Sequence, residues 1–412
     1  MTKYKPITPK KAKKNGAVSN EMITTVVKFL RKNFEINKNI LTNVFEIVDI
    51  KTGEFVDKND LPLMLELKNI RMSQHKINQI LASSFSEFKV TKDINPVVEY
   101  LNSRRGKYIA QESQIELFAS YLTPKKIKGN TPERWMKYFK KWFVSTVATA
   151  LRKGKNDVML VIVQRKGGTG KTKYIDFLIP PELEKYRITI SKRDYKTNLK
   201  HEIATRFLIN FDELAALNHR YILSFKSEIS EEIIKTTHKY DHREVMLPRL
   251  ASFAGSTNFN EAKGGFIQEN DFGLMRRIFA VENEGFFNWQ KYTKLVDINQ
   301  MYSEAIMLIE NSEFDYSFGP NDFTNFENFN RKYLRHFELA EILEKIVKKP
   351  TNGHYEKQTA TELQQLLLDE NYPENRISAV AIGTELSKMG FTQKSTKING
   401  QSTKYWHVQF NN

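Results

Sequence analysis

The stretch "DVMLVIVQRKGGTGKTKYIDFL", residues 157–178, decides the reading of the fold. After Asp157 comes an apolar run too short for a helix and suited to a buried parallel strand. It leads into Gly167, Gly168, Thr169, Gly170, Lys171 and Thr172, with a helix expected from about Gly170 to Leu178. Strand, glycine loop, helix is the setting in which such a loop binds phosphates. Glycines let successive backbone N–H groups converge on phosphate oxygens, and the helix start adds a positive dipole. Lys171 would then reach the β- and γ-phosphates of ATP, and Thr172 would ligate Mg²⁺. Arg165 stands where the pattern G-x-x-x-x-G-K-[ST] begins. It does not remove the amides that do the binding, because those belong to residues 167–172.

Further along, "RFLINFDEL" is an apolar strand that ends in Asp212 and Glu213. Asp212 would hold Mg²⁺ through water, and Glu213 would act as general base on the attacking water. "LASFAGSTN" ends in Asn258, which either positions that water or only caps the next turn. "NDFGLMRRIFAV" brings Arg276 and Arg277 into another strand. An arginine can supply charge to a phosphoryl-transfer transition state from a neighbouring subunit. Adjacent strand residues point to opposite faces, so one of the two would do this and the other make a structural pair. With "YRITI", these strands alternate with helices and predict an α/β domain built on a parallel sheet.

The rest of the 412 residues is long enough for two or three domains. Residues 1–20 hold six lysines and no acid, and read as a disordered basic arm. Residues 21–152 read as a mainly helical domain, with "NILTNVFEIVDIKTGEFV" as a small hairpin turning at Thr52-Gly53. In "TPERWMKYFKKWFVSTVATALRK" Thr131 caps a helix and Pro132 opens it; its aromatics are read as core rather than as a base-stacking row. Residues 153–285 form the ATPase domain, 286–334 a helical lid and linker, and 335–412 a last domain. There, three helices precede two strands joined by Asn399-Gly400, the pattern of a winged helix.

Net charge is +16, which points to a polyanion such as DNA, against the plainer reading of a lysine-rich surface. The absence of cysteine excludes disulfides and thiol chemistry and suits the cytoplasm. No apolar run approaches the length of a membrane span.

In their order, the glycine loop, Asp-Glu, "F-x-G-S-T-N" and "G-x-x-R-R-x-F" resemble the virulence-associated E family. This family belongs to the superfamily 3-like helicases within the AAA+ ATPases of phages and mobile elements. The resemblance covers about residues 95–285. It implies a ring-forming, DNA-stimulated ATPase, a homo-hexamer working beside a separate primase or replication protein. It also implies a hairpin before the Asn258 strand that grips DNA, here "TTHKYDHREVMLPR" with Lys239, His242, Arg243 and Arg249. Arg249 has a rival role as the arginine that reaches the next subunit. In the winged helix, Lys394 and Lys397 would meet the DNA backbone, or the domain would instead dock a protein partner. The overall expectation is an ATP-driven helicase or translocase. The alternatives are an ATPase that loads replication proteins and a nucleotide-dependent assembly switch in defence or regulation.

Overall fold

The computed structural model describes residues 20–191, 198–214, 227–238, 241–258, 265–268, 272–311, 314–335, 339–350, 354–370, 372, 377–398 and 401–411. The basic arm, apart from residue 20, lies outside them. The chain divides into two units, Met1–Pro96 and Val97–Asn412. Among the described residues no helix is long and apolar enough to cross a membrane.

In the first unit the helix Asn20–Asn33 buries Val26, Val27 and Leu30 against a three-stranded sheet and the short helices Leu61–Glu66 and Gln74–Leu81. Strands β1 (Phe34–Asn39) and β2 (Val44–Asp49) form an antiparallel hairpin, and β3 (Lys92–Ile94) pairs with β1 in parallel. The hairpin therefore closes at residues 40–43, upstream of the expected Thr52-Gly53 turn. Local chemistry explains this. Asn39 Oδ1 accepts from the N–H groups of Leu41 and Thr42, and Asn43 takes the left-handed conformation that closes the turn (φ 59°). The Thr52-Gly53 turn exists, but it returns the chain only for the single bridge Val48–Phe55.

The second unit is built on a parallel sheet. In chain order its strands are β4 (Met159–Gln164), β5 (Arg187–Ile190), β6 (Leu208–Phe211), the antiparallel hairpin β7 (Ile233–His238) and β8 (Asp241–Pro248), then β9 (Ser252–Asn258), β10 (Ile267–Gln268) and β11 (Ile278–Glu282). The hairpin and β10 stand apart from the main sheet, whose order is β11–β4–β9–β6–β5 with every neighbour parallel. A later strand, β12 (Leu334–Arg335), pairs with β10.

Every residue of β4 and β11 is buried, which is why both read as unbroken apolar runs. One face of the sheet, with Met159, Val161 and Val163, packs against the helix Leu199–Thr205. The other face meets the aromatic helix Pro132–Ala150. Trp135 lies against Phe279 at 5.8 Å between ring centres, and Trp142 Nε1 donates to the Val158 carbonyl at 3.2 Å. Trp135, Phe139, Trp142 and Phe143 are all buried, so this row is core. The helices Gln114–Ala119 and Pro132–Ala150, grouped by sequence with the N-terminal domain, lie in the second unit. The helix Ile298–Glu310 packs with Gln114–Ala119 and Pro132–Ala150.

The C-terminal region contains the helices Leu339–Ile346, Ala360–Asp369 and Ala379–Lys388. They enclose Leu343, Leu363, Leu367, Ile382 and Leu386 together with Trp406 and Val408. Two short strands, β13 (Val347–Lys348) and β14 (Glu356–Gln358), join the expected pair β15 (Gln393–Ile398) and β16 (Gln401–Phe410). The Asn399-Gly400 turn lies outside the described residues.

Candidate active site

Parallel strands deliver their C-terminal ends to one edge of the sheet. Because β9 lies between β4 and β6, that edge sets Asn258 between the glycine loop after β4 and the acids after β6. Gln164 pairs with Asn258, and Phe211 pairs with Gly255. The approach at Gly255 is tight: a Cβ there would lie 3.2 Å from the Phe211 carbonyl oxygen.

Within the loop, Gly168 and Gly170 have φ of 71° and 96°, a region costly for residues with a Cβ. Gly170 also backs onto Phe287, whose N–H donates to the Thr169 carbonyl at 3.0 Å. Thr169 Oγ1 donates to Gln164 Oε1, and Gln164 Nε2 donates to the Gly285 carbonyl, so the loop is tied to the end of β11. Lys171 starts the following helix, Lys171–Asp176, and is only 7% exposed. Its Nζ donates to Asn258 Oδ1 at 2.7 Å and to the Lys166 carbonyl at 3.4 Å. Burial pulls the Lys171 ammonium below the usual lysine range, while the carboxylates of Asp212 and Glu213 oppose that shift.

Asp212 is held from two sides. Ser256 Oγ donates to its Oδ1 at 2.9 Å, and Thr172 Oγ1 lies 3.4 Å from the same atom. Ser256 was not singled out by sequence. Its signal was strand alternation, since it lies two residues before Asn258 and shares its face. Thr172 and Asp212 present adjacent hard oxygen donors, a set that fits Mg²⁺, which keeps several waters and takes its other ligands from phosphates. Glu213 is exposed and holds φ at 55°. A non-glycine residue pays for that conformation, and such outliers cluster at functional sites.

Beside the loop, on the β11 side, lies a cavity of about 370 Å³ bordered by Arg165, Lys166, Thr169, Glu284 and Phe286. Arg165 thus flanks the loop on the side away from Asn258. Phe286 is 77% exposed there.

The arginines lie elsewhere. Arg277 immediately precedes β11, and its carbonyl accepts from Met159 N at the start of β4. Arg276 is exposed and Arg277 partly buried. A strand the length of β4 spans about 20 Å, so both residues stand at the opposite edge of the sheet from their own glycine loop. Arg249, expected on the DNA-gripping hairpin, is instead buried at the N-terminal end of β9. Its guanidinium donates to the carbonyls of Ala251 (3.0 Å), Ile229 and Asn156, lies 3.4 Å from Asp157 Oδ1, and stacks over Phe253. Burial pulls it down to about 10. In this position it braces the N-terminal ends of the strands, with only 4% of its surface exposed at the floor of a cavity bordered by Arg152 and Glu232. Lys394 is exposed on β15. Lys239 and the side chains of His242, Arg243 and Lys397 lie outside the described residues.

No curated protein matches the chain. Among solved structures it is similar to the apo C-terminal region of NrS-1, with 12% identity, 95% of this chain and 100% of that chain covered, and a TM-score of 0.42. A second structure of that region gives 11% identity, 93% and 99% coverage, and a TM-score of 0.40. The virulence-associated protein E-like domain matches residues 101–333, from the helices before the sheet through the glycine loop, the acids, Asn258 and the arginines to the end of the unit's core. That match takes in more than half of the chain, which belongs to the virulence-associated protein E-like family.

Proposed function

We propose that the chain is an ATP-driven DNA helicase or translocase of a phage or mobile element, an AAA+ ATPase that works as a ring. The observation that carries this reading is the meeting of Lys171, Asn258, Asp212 and Thr172 at the ends of three adjacent strands. Lys171 exchanges Asn258 for the β- and γ-phosphate oxygens of ATP, and the glycine-loop amides take the remaining phosphate charge. The cavity beside Arg165 and Phe286 accommodates the base and sugar. Thr172 and Asp212 hold Mg²⁺, which when bound offsets the charge on the phosphate oxygens. Asn258, freed from Lys171, orients the attacking water. Glu213 takes its proton as the new P–O bond forms and ADP departs.

The same geometry supports a ring. Arg276 and Arg277 are too far from their own glycine loop to meet its nucleotide, so an arginine from this edge acts on a neighbour's. A homo-hexamer satisfies that requirement. The hairpin β7–β8 lies just before the Asn258 strand, where it can couple nucleotide state to a DNA strand in the channel. Three helices followed by the β15–β16 pair support a winged helix at the C-terminus, with Ala379–Lys388 as its third helix. A separate primase or replication protein is the natural partner, and the cytoplasm the expected compartment.

The test is ATP-dependent displacement of one strand from a forked DNA, paired with particle images in a slowly hydrolysed ATP analogue. The proposal expects displacement and rings. ATP turnover with neither would move the assignment to an ATPase that loads or remodels other proteins.

A further inference from the structure

Trp406 and Val408 point into the C-terminal core, so Tyr405 and His407 occupy the opposite face of the sheet. The register brings Lys357 opposite His407 and Lys394 opposite Tyr405 on that outer face. Lys348, opposite Gln409, adds a third cation; the one acid on these described strands, Glu356, is exposed and stands opposite the inward-facing Val408.

The rings are ordered. Tyr355 lies flat over His407, with centroids 3.7 Å apart and planes 8° apart. Tyr405 lies beside His407 at 5.6 Å and 14°. The Lys357 ammonium lies over the Tyr405 ring, 5.0 Å from its centre, and moves aside to a phosphate when a base takes that ring face. Tyr355 remains 42% exposed, leaving its outer surface open for a further flat group. Beneath it, His407 Nε2 is buried without a hydrogen-bond partner. Burial, then the charges of Lys394 and Lys357, hold the imidazole below its usual range.

Parallel aromatic rings bordered by lysines match the chemistry of unpaired bases joined by phosphates. A duplex offers phosphates but keeps its bases stacked on each other. We propose that the outer face of the C-terminal sheet binds single-stranded nucleic acid, with bases stacking on Tyr355 and Tyr405 and phosphates meeting Lys357 and Lys394. This surface is distinct from the Ala379–Lys388 helix, which packs against the other side of β16. The inference takes only the nucleic-acid partner from the proposed function. It is tested without nucleotide, so its failure leaves the ATPase reading standing.

The experiment uses the full chain and fluorescence anisotropy with a labelled oligo(dT) single strand and a duplex of equal length. The double variant Tyr355→Ala/Tyr405→Ala should lose about tenfold or more in single-strand affinity. Its duplex affinity should change less than about twofold on the same reasoning. Tyr355→Phe/Tyr405→Phe keeps both rings and should restore single-strand binding. Lys357→Ala/Lys394→Ala should reduce the slope of log affinity against log salt by about 1.4 for single strands. Unchanged single-strand affinity in the folded Tyr355→Ala/Tyr405→Ala variant overturns the proposal. So does an equal loss for duplex and single strand, which would mark the face as a general cationic surface or a protein contact.

Discussion

Replacing Asn258 with alanine separates its two roles. It removes the acceptor of the 2.7 Å bond from Lys171. A hydrogen bond to a charged group contributes about 1.5–3 kcal/mol, and Lys171, only 7% exposed, has little water to take its place. The nucleotide-free protein should therefore lose stability of about that size. On the proposed role of Lys171, the ATP complex would exchange this bond for phosphate oxygens and should lose less. ATP should consequently bind Asn258→Ala as tightly as wild type or tighter, with about 1.4 kcal/mol of the difference corresponding to tenfold in Kd. Turnover should move the other way. If Asn258 holds the attacking water, kcat should fall by about 10²–10³, the loss typical when one preorganised polar group is removed. Calorimetric titration with ATP and a coupled phosphate-release assay measure the two quantities on one sample. Weaker ATP binding with kcat retained would refute the reasoning, because Asn258 would then be a ground-state ligand and not a group exchanged during the reaction.

Other expectations follow from the same geometry. Arg249→Ala leaves the carbonyls of Ala251, Ile229 and Asn156 without their donor. At about 1–3 kcal/mol for each unpaired group, urea denaturation should show a loss of at least about 3 kcal/mol. Lys394→Ala, at an exposed position, should stay within about 0.5 kcal/mol of wild type. If Arg249 served only on a DNA-facing surface, the two variants would behave alike. Of Arg276→Ala and Arg277→Ala, one should lose about 10³-fold in turnover while remaining folded. Mixing it with Lys171→Ala should restore part of the activity through hybrid interfaces. No recovery in mixtures with demonstrated subunit exchange would argue against action between subunits.

Much of the central sheet was legible because its strands are buried on both sides. β4 and β11 are apolar up to their last residues, Gln164 and Glu282, so length and composition alone mark them as strands. The glycine loop and the Asp212-Glu213 pair were legible as types placed directly after such runs. That Asn258 contacts Lys171 was not, because contact depends on β9 lying between β4 and β6, and strand order is a tertiary property. Ser256 was hidden for the same reason: its value depends on Asp212 sitting on the neighbouring strand. Arg249 shows the opposite failure. A cation near a hairpin reads as surface, yet three carbonyls at the foot of the sheet make burial tolerable. In the N-terminal unit, β1 follows its helix directly, with no turn between Asn33 and Phe34 to mark the boundary. The strands β13 and β14 are two and three residues long, too short to show a period.

In the proposed function, ATP is bound and cleaved at the loop ending in Lys171. The most direct measurement compares ATP binding and phosphate release, with and without single-stranded DNA, for wild type, Lys171→Ala and Glu213→Gln. Wild type should turn over ATP, and faster with DNA; Lys171→Ala should lose both activities; Glu213→Gln should bind ATP but scarcely cleave it. Wild-type turnover in Lys171→Ala, or equal loss of binding in both variants, would contradict it.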